Sequence, residues 1–205
     1  MKAVVVYESM YGNTHLVADA IGAGLRERAA ANDAIVVVPV GAATPRVLAG
    51  ADLVVVGGPT HAHGMSRVTT RKAAVAAAEK PESPLEVDPD AEGPGLREWF
   101  DSLDRLAALP AQAAFDTRID APPLLTGRAS QGIARRLRNA GCHLVAVPES
   151  FLVTKGDHLA DQRGAARPRL GRGSRDRARA AKAQLFPRMM PLRPAETRVC
   201  SALGT

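Results

Sequence analysis

Residues 3–14, Ala3-Val4-Val5-Val6-Tyr7-Glu8-Ser9-Met10-Tyr11-Gly12-Asn13-Thr14, decide the fold of this chain. The first five residues form a β-branched run, which is typical of a strand buried on both faces of a parallel sheet. The following residues hold glycine and hydroxyl side chains and lead directly into a helical pattern from Asn13 to Arg28. A buried strand, a tight turn and a helix in this order predict the start of an α/β domain.

The same alternation of strand and helix patterns continues along the chain. Further buried strands are predicted at 34–38, 53–56, around 113–115 and at 144–147, and Gly57-Gly58-Pro59 is expected to end the third strand. Helices are predicted from Ser66, as N-cap, to Glu79, along the apolar stripe from Leu96 to Leu106, and over 127–139, whereas the Pro- and acid-rich residues 80–95 indicate a surface excursion. Five strands separated by helices predict an open parallel sheet covered on both faces.

Composition and charge exclude several classes of protein. The chain has 205 residues, of which 46% are apolar and 23% charged, which predicts one ordinary globular domain. No apolar run is long enough for a membrane helix, and no secretory signal follows Met1, so we expect a cytoplasmic protein without membrane contact. Two cysteines, Cys142 and Cys200, cannot form a disulfide scaffold or a four-thiolate metal site. Residues 1–160 carry a net charge of −2 and residues 161–205 one of +8, so the high pI reflects the tail.

The residues after the first strand have the features of an anion site. Ligands of parallel α/β sheets bind at the carboxyl ends of the strands. Ser9 and Thr14 supply hydroxyl groups there, Gly12 permits a tight turn, and a helix N-terminus supplies N–H groups and about half a positive charge. The alternative is a plain capped turn with Asn13 or Ser9 as the cap.

Other phosphate-binding motifs do not occur in the expected places. The chain has no G-x-x-x-x-G-K-[ST] sequence, which excludes a P-loop NTPase. No G-x-G-x-x-G follows the first strand, which argues against a dinucleotide site. The third strand ends in Gly57 rather than in an acidic residue, which disfavours a phosphoaccepting receiver domain.

Three stretches of the sequence resemble the flavodoxin family. Ser9 to Thr14 resembles the flavodoxin phosphate loop, [ST]-x-[ST]-G-x-T, with Tyr11 replacing the middle hydroxy-amino acid. Residues 57–64, GGPTHAHG, resemble the flavin-contacting loop after strand 3, and residues 115–118, FDTR, take the place of the second such loop. REWF at 97–100 and ESFLV at 149–153 also resemble flavodoxin-like proteins of high-GC bacteria. The resemblance covers about residues 1–158 and implies a flavodoxin-like, three-layer, doubly wound, five-stranded parallel sheet of order 2-1-3-4-5.

The resemblance also implies a cofactor, non-covalent FMN, and its contacts. The phosphate would bind at the first loop and the isoalloxazine ring between the other two; the implied site residues are Ser9, Met10, Tyr11, Gly12, Asn13, Thr14, Pro59, Thr60, His61, Ala62, His63, Gly64, Asp116, Thr117 and Arg118. The implied activity is electron transfer, either as a carrier with a redox partner protein or as a reductase acting on a small quinone-like substrate. No residue is assigned a catalytic role.

The aromatic content departs from that of flavodoxin carriers, which usually sandwich the flavin between a Trp and a Tyr. Trp99 fits a helical core stripe, and Tyr7 ends a strand, so both are predicted to lie in the core. His61 is then the best remaining ring to lie against the flavin. Losing one aromatic face costs about one decade of affinity. The alternative function is therefore a non-catalytic binding module that has lost or weakened flavin binding.

Several weaker signals have structural interpretations. His61-x-His63 lacks a third ligand nearby, so no metal site is predicted. The structural interpretation of Asp116 and Arg118 is that they pair with each other or with solvent, although their loop position favours a role near the cofactor. Cys142, expected at the start of the fifth strand, is interpreted as a small apolar residue.

The basic, Arg- and Pro-rich segment 159–205 is predicted to be poorly ordered or a weak helix over 175–186. One explanation of its composition is a reading-frame slip in a GC-rich gene. The other is an arm for nucleic acid or an acidic partner. Without interleaved aromatic residues, only non-specific nucleic-acid contacts are expected of it.

Overall fold

The computed structural model of this chain describes residues 1–103 and 111–154. The expected basic tail at 159–205, its weak helix at 175–186 and Leu106 of the predicted apolar stripe lie outside these residues. In the described part, no helix has the length and apolar character needed to cross a membrane.

Strands and helices alternate along much of the chain as the sequence patterns predict. The strands are β1 (Lys2–Tyr7), β2 (Ala34–Pro39), β3 (Leu53–His61), β4 (Gly64–Met65), β5 (Gln112–Ile119) and β6 (Glu149–Val153). The helices are α1 (Asn13–Arg26), α2 (Pro45–Leu48), α3 (Val68–Ala78), α4 (Leu96–Ser102), α5 (Pro123–Thr126) and α6 (Ala129–Asn139). Of these elements, β4, α2 and α5 were not predicted, and the helix expected along 96–106 ends at Ser102.

Five of the strands form one parallel sheet in the order β2-β1-β3-β5-β6. The two-residue strand β4 pairs antiparallel with the end of β3 and lies outside this path. Apart from β4, the order is 2-1-3-4-5, so the predicted doubly wound sheet is confirmed. The order reverses between β1 and β3, where the loops after these strands diverge and leave a crevice.

Each face of the sheet carries its own apolar cluster. Val4 and Val6 belong to the cluster that includes Trp99 and α6, whereas Val5 belongs to the cluster that includes α1 and Phe115. Because side chains alternate across a strand, a run of β-branched residues fills both clusters at once. Trp99 is buried, as predicted, and its indole N–H donates to the carbonyl of Ala43 at 2.8 Å.

The prediction that Gly57-Gly58-Pro59 ends the third strand is wrong. β3 continues to His61, and Gly57 pairs with Tyr7 on one side and Phe115 on the other. A Cβ at Gly57 would lie 2.0 Å from the Phe115 ring. These glycines therefore make room for neighbouring side chains inside the sheet instead of forming a turn.

The predicted position of the fifth strand is also wrong. The last strand of the sheet is Glu149–Val153, and Leu144 makes only an isolated bridge to Gln112. The chain then leaves the sheet, so that Val147 is 80% exposed, before it pairs again with β5 from Glu149 onward. Cys142 accordingly precedes this bridge rather than opening a strand, although it is buried in an apolar cluster as expected.

The N-caps of two helices, α1 and α3, are not the residues that the sequence suggested. Gly12, at φ +83°, is the N-cap of α1, and the Ser9 hydroxyl accepts a hydrogen bond from its N–H at 3.1 Å. Arg67, not Ser66, precedes α3, where the Arg67 N–H donates to the Thr70 hydroxyl at 2.8 Å. Ser66 is instead buried.

Candidate functional site

A cavity of about 360 Å³ lies at the carboxyl edge of the sheet. The cavity is lined by residues from the loop after β1, from the ends of β3, β5 and β6, and from the 80–95 excursion. Its lining residues are Met10, Tyr11, Asn13, Thr14, Pro59, Thr60, His61, Ala62, Leu85, Thr117, Arg118, Ile119, Val153 and Thr154. Its size is within the range of small-ligand sites.

One end of the cavity, which we call the phosphate-loop end, is formed by residues 9–14. The left-handed conformation of Gly12 turns the chain into α1, so the N-terminus of a 14-residue helix borders the cavity. The first turn of a helix has N–H groups without intrahelical partners and a positive dipole end. The Thr14 and Thr117 hydroxyls are 2.7 Å apart, which joins this end to β5.

The other end, which we call the ring end, is formed by the β3–β4 hairpin. Thr60 pairs with Met65 and His61 with Gly64, so the turn consists of Ala62 and His63 only. These two residues have φ values of 44° and 70°, as a two-residue type I′ turn requires. Neither is a glycine or asparagine, so the turn holds a conformation that these side chains disfavour.

Contacts with the N-terminus of α6 hold this hairpin in place. The Thr60 hydroxyl accepts a hydrogen bond from the Ala129 N–H at 2.8 Å and donates to Asp116 at 3.2 Å. His63 bridges to Gly127, where a Cβ would lie 2.2 Å from the His63 carbonyl oxygen. The ring end is therefore closed by residues that are distant in sequence.

Asp116 and Arg118 do not pair with each other, so one of the alternatives left open by the sequence is excluded. One oxygen of the fully buried Asp116 carboxylate accepts from the Ser130 N–H at 2.8 Å, at the positive end of α6. Arg118 donates instead to the carbonyls of Ala121 at 2.6 Å and Ile119 at 3.3 Å. It is the only residue with a formally charged side chain among the described residues that line the cavity.

A buried polar cluster lies between the residue that follows β1 and the residues that follow the β3–β4 hairpin. Glu8 accepts hydrogen bonds from the Ser66 hydroxyl and from the Leu96 N–H, the latter at 2.8 Å. Arg71 donates to Ser66 at 3.3 Å and to Glu98 at 3.0 Å. Burial raises the pKa of the Glu8 carboxyl, while these hydrogen bonds and the Arg71 charge oppose the rise. The cluster links the end of β1 to the residues that follow the hairpin.

The 80–95 excursion is part of the site, although its sequence predicted only a surface loop. Leu85 lines the cavity. The Asp88 N–H donates to the Met10 carbonyl at 2.7 Å, and its buried carboxylate lies 3.2 Å from the His15 ring on α1. This segment is therefore bound to the phosphate-loop end by a main-chain and a side-chain contact.

Most of the sequence-predicted site residues meet at the cavity. Met10, Tyr11, Asn13, Thr14, Pro59, Thr60, His61, Ala62, Thr117 and Arg118 line it. Five predicted site residues are not among the lining residues: Ser9, Gly12, His63, Gly64 and Asp116. Of these, Ser9, Gly12 and Asp116 hold lining segments in position through the contacts given above. Pro59 to His61 and Asp116 to Arg118 belong to β3 and β5 rather than to loops.

Sequence reasoning missed Leu85, Ile119, Val153 and Thr154. Val153 and Thr154 lie at the end of β6 and just after it, and they were missed because the fifth strand was predicted at 144–147 instead of 149–153. Nothing in the Pro- and acid-rich pattern around Leu85 indicated an inward side chain.

Two residues with aromatic side chains, Tyr11 and His61, line the cavity. The Tyr11 hydroxyl donates to the Ala74 carbonyl at 3.0 Å, which fixes the ring. Burial lowers the pKa of His61, which favours the neutral imidazole. Trp99 and Tyr7 are in the apolar clusters, as predicted. Among the described residues no group of three His, Cys, Asp or Glu side chains could hold a metal ion.

Comparison with solved structures identifies the fold. Oxidised flavodoxin 2 from Bacillus cereus is 18% identical over 89% of this chain and 94% of its own, with a TM-score of 0.52. Oxidised flavodoxin 1 from the same organism is 20% identical over 75% of this chain and 86% of its own, with a TM-score of 0.51. No protein-family model and no curated protein matches the sequence. The chain has a flavodoxin-like fold, and the flavodoxin resemblance found in the sequence is confirmed at that level.

Proposed function

We propose that this chain, with its flavodoxin-like fold, binds FMN non-covalently in the cavity and takes part in electron transfer. The observation that carries the proposal is the convergence of three separate segments, 9–14, 59–64 and 116–118, on one cavity beside the N-terminus of α1. These are the segments whose sequences resemble the flavodoxin loops. The flavodoxin-like fold supports the proposal independently of those motifs.

The phosphate-loop end suits a dianion. The N-terminal turn of α1 presents N–H groups and a positive dipole end, and Thr14 adds a hydroxyl. No acidic side chain is among the described residues that line the cavity, so nothing there repels a phosphate. Gly12 has no atom within 4 Å of where a Cβ would lie, so the loop has open space beside it. We expect residues 9–14 to hold the phosphate group.

The ring end suits a flat, largely apolar ring. Pro59 and Ala62 border the cavity on the hairpin, and Leu85 and Ile119 border it elsewhere. The hairpin would orient the ring through its backbone groups, and His61 would lie against it. FMN, when bound, supplies the chemistry of accepting and releasing electrons. The residues of this chain bind it, orient it and exclude water from it.

The experiment is a titration of the apoprotein with FMN and, as a matched control, with riboflavin, which lacks the phosphate. We expect quenching of FMN fluorescence and an affinity for riboflavin at least about tenfold weaker, because the N-terminus of α1 has no anion to bind in that case. Absence of FMN binding by fluorescence and calorimetry contradicts the proposal. Equal affinities contradict the assignment of the phosphate-loop end.

Carrier and reductase are distinguished by a second assay, with NAD(P)H and a small quinone. Turnover without an added reductase identifies a reductase with a quinone-like substrate. A protein that transfers electrons only when a partner reductase is present is a carrier. Ile119 borders the cavity and is 52% exposed, so an apolar surface is available at the site for either a partner protein or a substrate. We propose that the protein acts in the cytoplasm and that residues 1–158 form its flavin-binding domain.

The second candidate is a non-catalytic binding module with weakened flavin affinity. The observation that favours it is that only Tyr11 and His61 supply rings to the cavity wall among the described residues. The same titration separates the candidates. A dissociation constant above about 100 μM corresponds to less than roughly 6 kcal/mol of binding and supports the module. Protein purified with a yellow chromophore excludes it.

A further inference from the structure

We infer that Arg118 is a fixed positive charge on the cavity wall that raises the reduction potential of bound FMN. The inference rests on the proposed function and adds a role for one residue that the flavin motifs do not supply. It concerns the equilibrium between oxidised and reduced cofactor rather than FMN binding as such.

The first observation is the burial of the Arg118 side chain on the cavity wall. The residue is only 9% exposed and lines the cavity beside Thr117. One Nη donates to the carbonyls of Ile119 and Ala121 and lies 3.5 Å from the Thr126 hydroxyl. These bonds fix the guanidinium without neutralising it, because their acceptors are uncharged.

The second observation is that the guanidinium has unused hydrogen-bonding capacity. Its Nε is buried and has no hydrogen-bond partner in the described part of the chain. Burying such a donor without a partner costs free energy, so the Arg118 guanidinium lacks part of the pairing that a buried arginine normally has. Arg118 also makes no ion pair with any described residue.

The third observation concerns Asp116, an acidic residue two positions before Arg118 on β5. Its carboxylate accepts from the Ser130 N–H at the N-terminus of α6 and from the Thr60 hydroxyl. It does not line the cavity, and it is not within ion-pair distance of Arg118. His61, which also lines the cavity, is held toward its neutral form because burial lowers its pKa. Among the described residues that line the cavity, Arg118 is thus the one with a formally charged side chain.

The consequence follows from the charge change during reduction. Two electrons and one proton enter the flavin ring, which is neutral when oxidised, so the reduced ring carries one negative charge. A buried cation stabilises that negative charge more strongly than it would in water, because the local dielectric is low. Arg118 therefore favours the reduced form over the oxidised form, which makes the potential more positive.

The experiment measures the two-electron midpoint potential of FMN bound to the full chain, with dithionite as the reductant. The variants are Arg118→Gln, which removes the charge, Arg118→Lys, which keeps it, and Arg128→Gln as the control. Arg128 is exposed and does not line the cavity, so its removal changes the net charge by the same amount at a screened position.

We expect Arg118→Gln to lower the ratio of affinities for reduced and oxidised FMN at least about tenfold, which corresponds to about 30 mV for a two-electron couple. Arg118→Lys should retain most of the wild-type potential, and Arg128→Gln should equal the wild type. Equal potentials for Arg118→Gln and Arg128→Gln overturn the inference and leave FMN binding intact. Failure of the wild type to bind FMN overturns the proposed function and the inference together.

A second neutral variant, Arg118→Met, keeps an apolar stem of similar length in case Arg118→Gln loses its fold or its FMN. The midpoint potential of FMN bound to Arg118→Met is compared with that of Arg128→Gln in the same buffer. A more negative value for Arg118→Met supports the inference, and an equal or more positive value overturns it. Circular dichroism of each variant checks that the fold is retained.

Discussion

The two ends of the cavity are built in different ways. The phosphate-loop end depends on consecutive residues, with Gly12 turning the chain and the Ser9 hydroxyl bonded to the Gly12 N–H. The ring end depends on contacts between segments far apart in the sequence, such as the bond from the Ala129 N–H to Thr60. The first end is therefore a local conformation that the sequence specifies by itself, whereas the second exists only when the sheet and α6 are assembled.

The sharpest test of this difference compares two glycines with positive φ. Gly127, at φ +73° and ψ −171°, has a conformation that is essentially restricted to glycine, and a Cβ there would meet the His63 backbone at 2.2 Å. Gly12, at φ +83°, has nothing within 4 Å of a Cβ. We expect Gly127→Ala to reduce the free energy of unfolding by about 3 kcal/mol or more and Gly12→Ala by about 1 kcal/mol.

Urea unfolding of the two variants, followed by circular dichroism, measures this difference. Comparable losses for both glycines would mean that the backbone contact between Gly127 and His63 does not restrain the hairpin, and the contrast between the two ends would then be lost.

A second test asks whether the Thr14 hydroxyl at the phosphate-loop end contributes to FMN binding as well as to its hydrogen bond with Thr117. Thr14→Val and Thr117→Val each remove the same 2.7 Å hydrogen bond, so each should cost about 1 kcal/mol of stability. Both residues line the cavity, but only Thr14 belongs to the proposed phosphate loop, so the FMN dissociation constant should rise about tenfold more for Thr14→Val than for Thr117→Val. Calorimetric titration with FMN gives both constants. Equal constants would show that Thr14 contributes only through its contact with β5.

The smallest expected effect tests the buried cluster that joins the two ends. Burial raises the pKa of Glu8 above its ordinary value of 4.5, so the folded state holds this proton more tightly than the unfolded state. The stability that this proton contributes is complete below pH 4.5 and is lost as the pH rises through the raised pKa. Because Glu8→Gln cannot titrate, the wild-type free energy of unfolding should fall relative to that of Glu8→Gln as pH increases.

Urea unfolding of both proteins at several pH values between about pH 4 and pH 8 measures this difference. A difference that does not change with pH would show that Glu8 titrates alike in the folded and unfolded chain. Other carboxyl groups are common to both proteins, so their contributions cancel.

Sequence patterns predicted the fold where local signals were consistent with the tertiary contacts. The β-branched runs and intervening helices predicted the parallel sheet, and the three flavodoxin-like segments predicted most of the cavity wall. The errors arose where tertiary pairing outweighed the local signal. The apolar residues 144–147 looked more strand-like than 149–153, but pairing with β5 selected Glu149 to Val153. The glycines at 57 and 58 looked like a turn because a sequence does not show that Phe115 and Leu96 occupy the space beside them.

By itself, the sequence determined the alternation of strands and helices, the turn at Gly12 and the hydroxyls beside it, because each depends on residues within a few positions of one another. Only the tertiary structure decided that Leu85 borders the cavity, that Asp116 is bound at the N-terminus of α6, and that Arg118 is left without a counter-ion among the described residues. The physical reason is that burial and charge pairing depend on which distant segments meet. Local conformation depends on steric and hydrogen-bonding preferences that neighbouring residues carry with them.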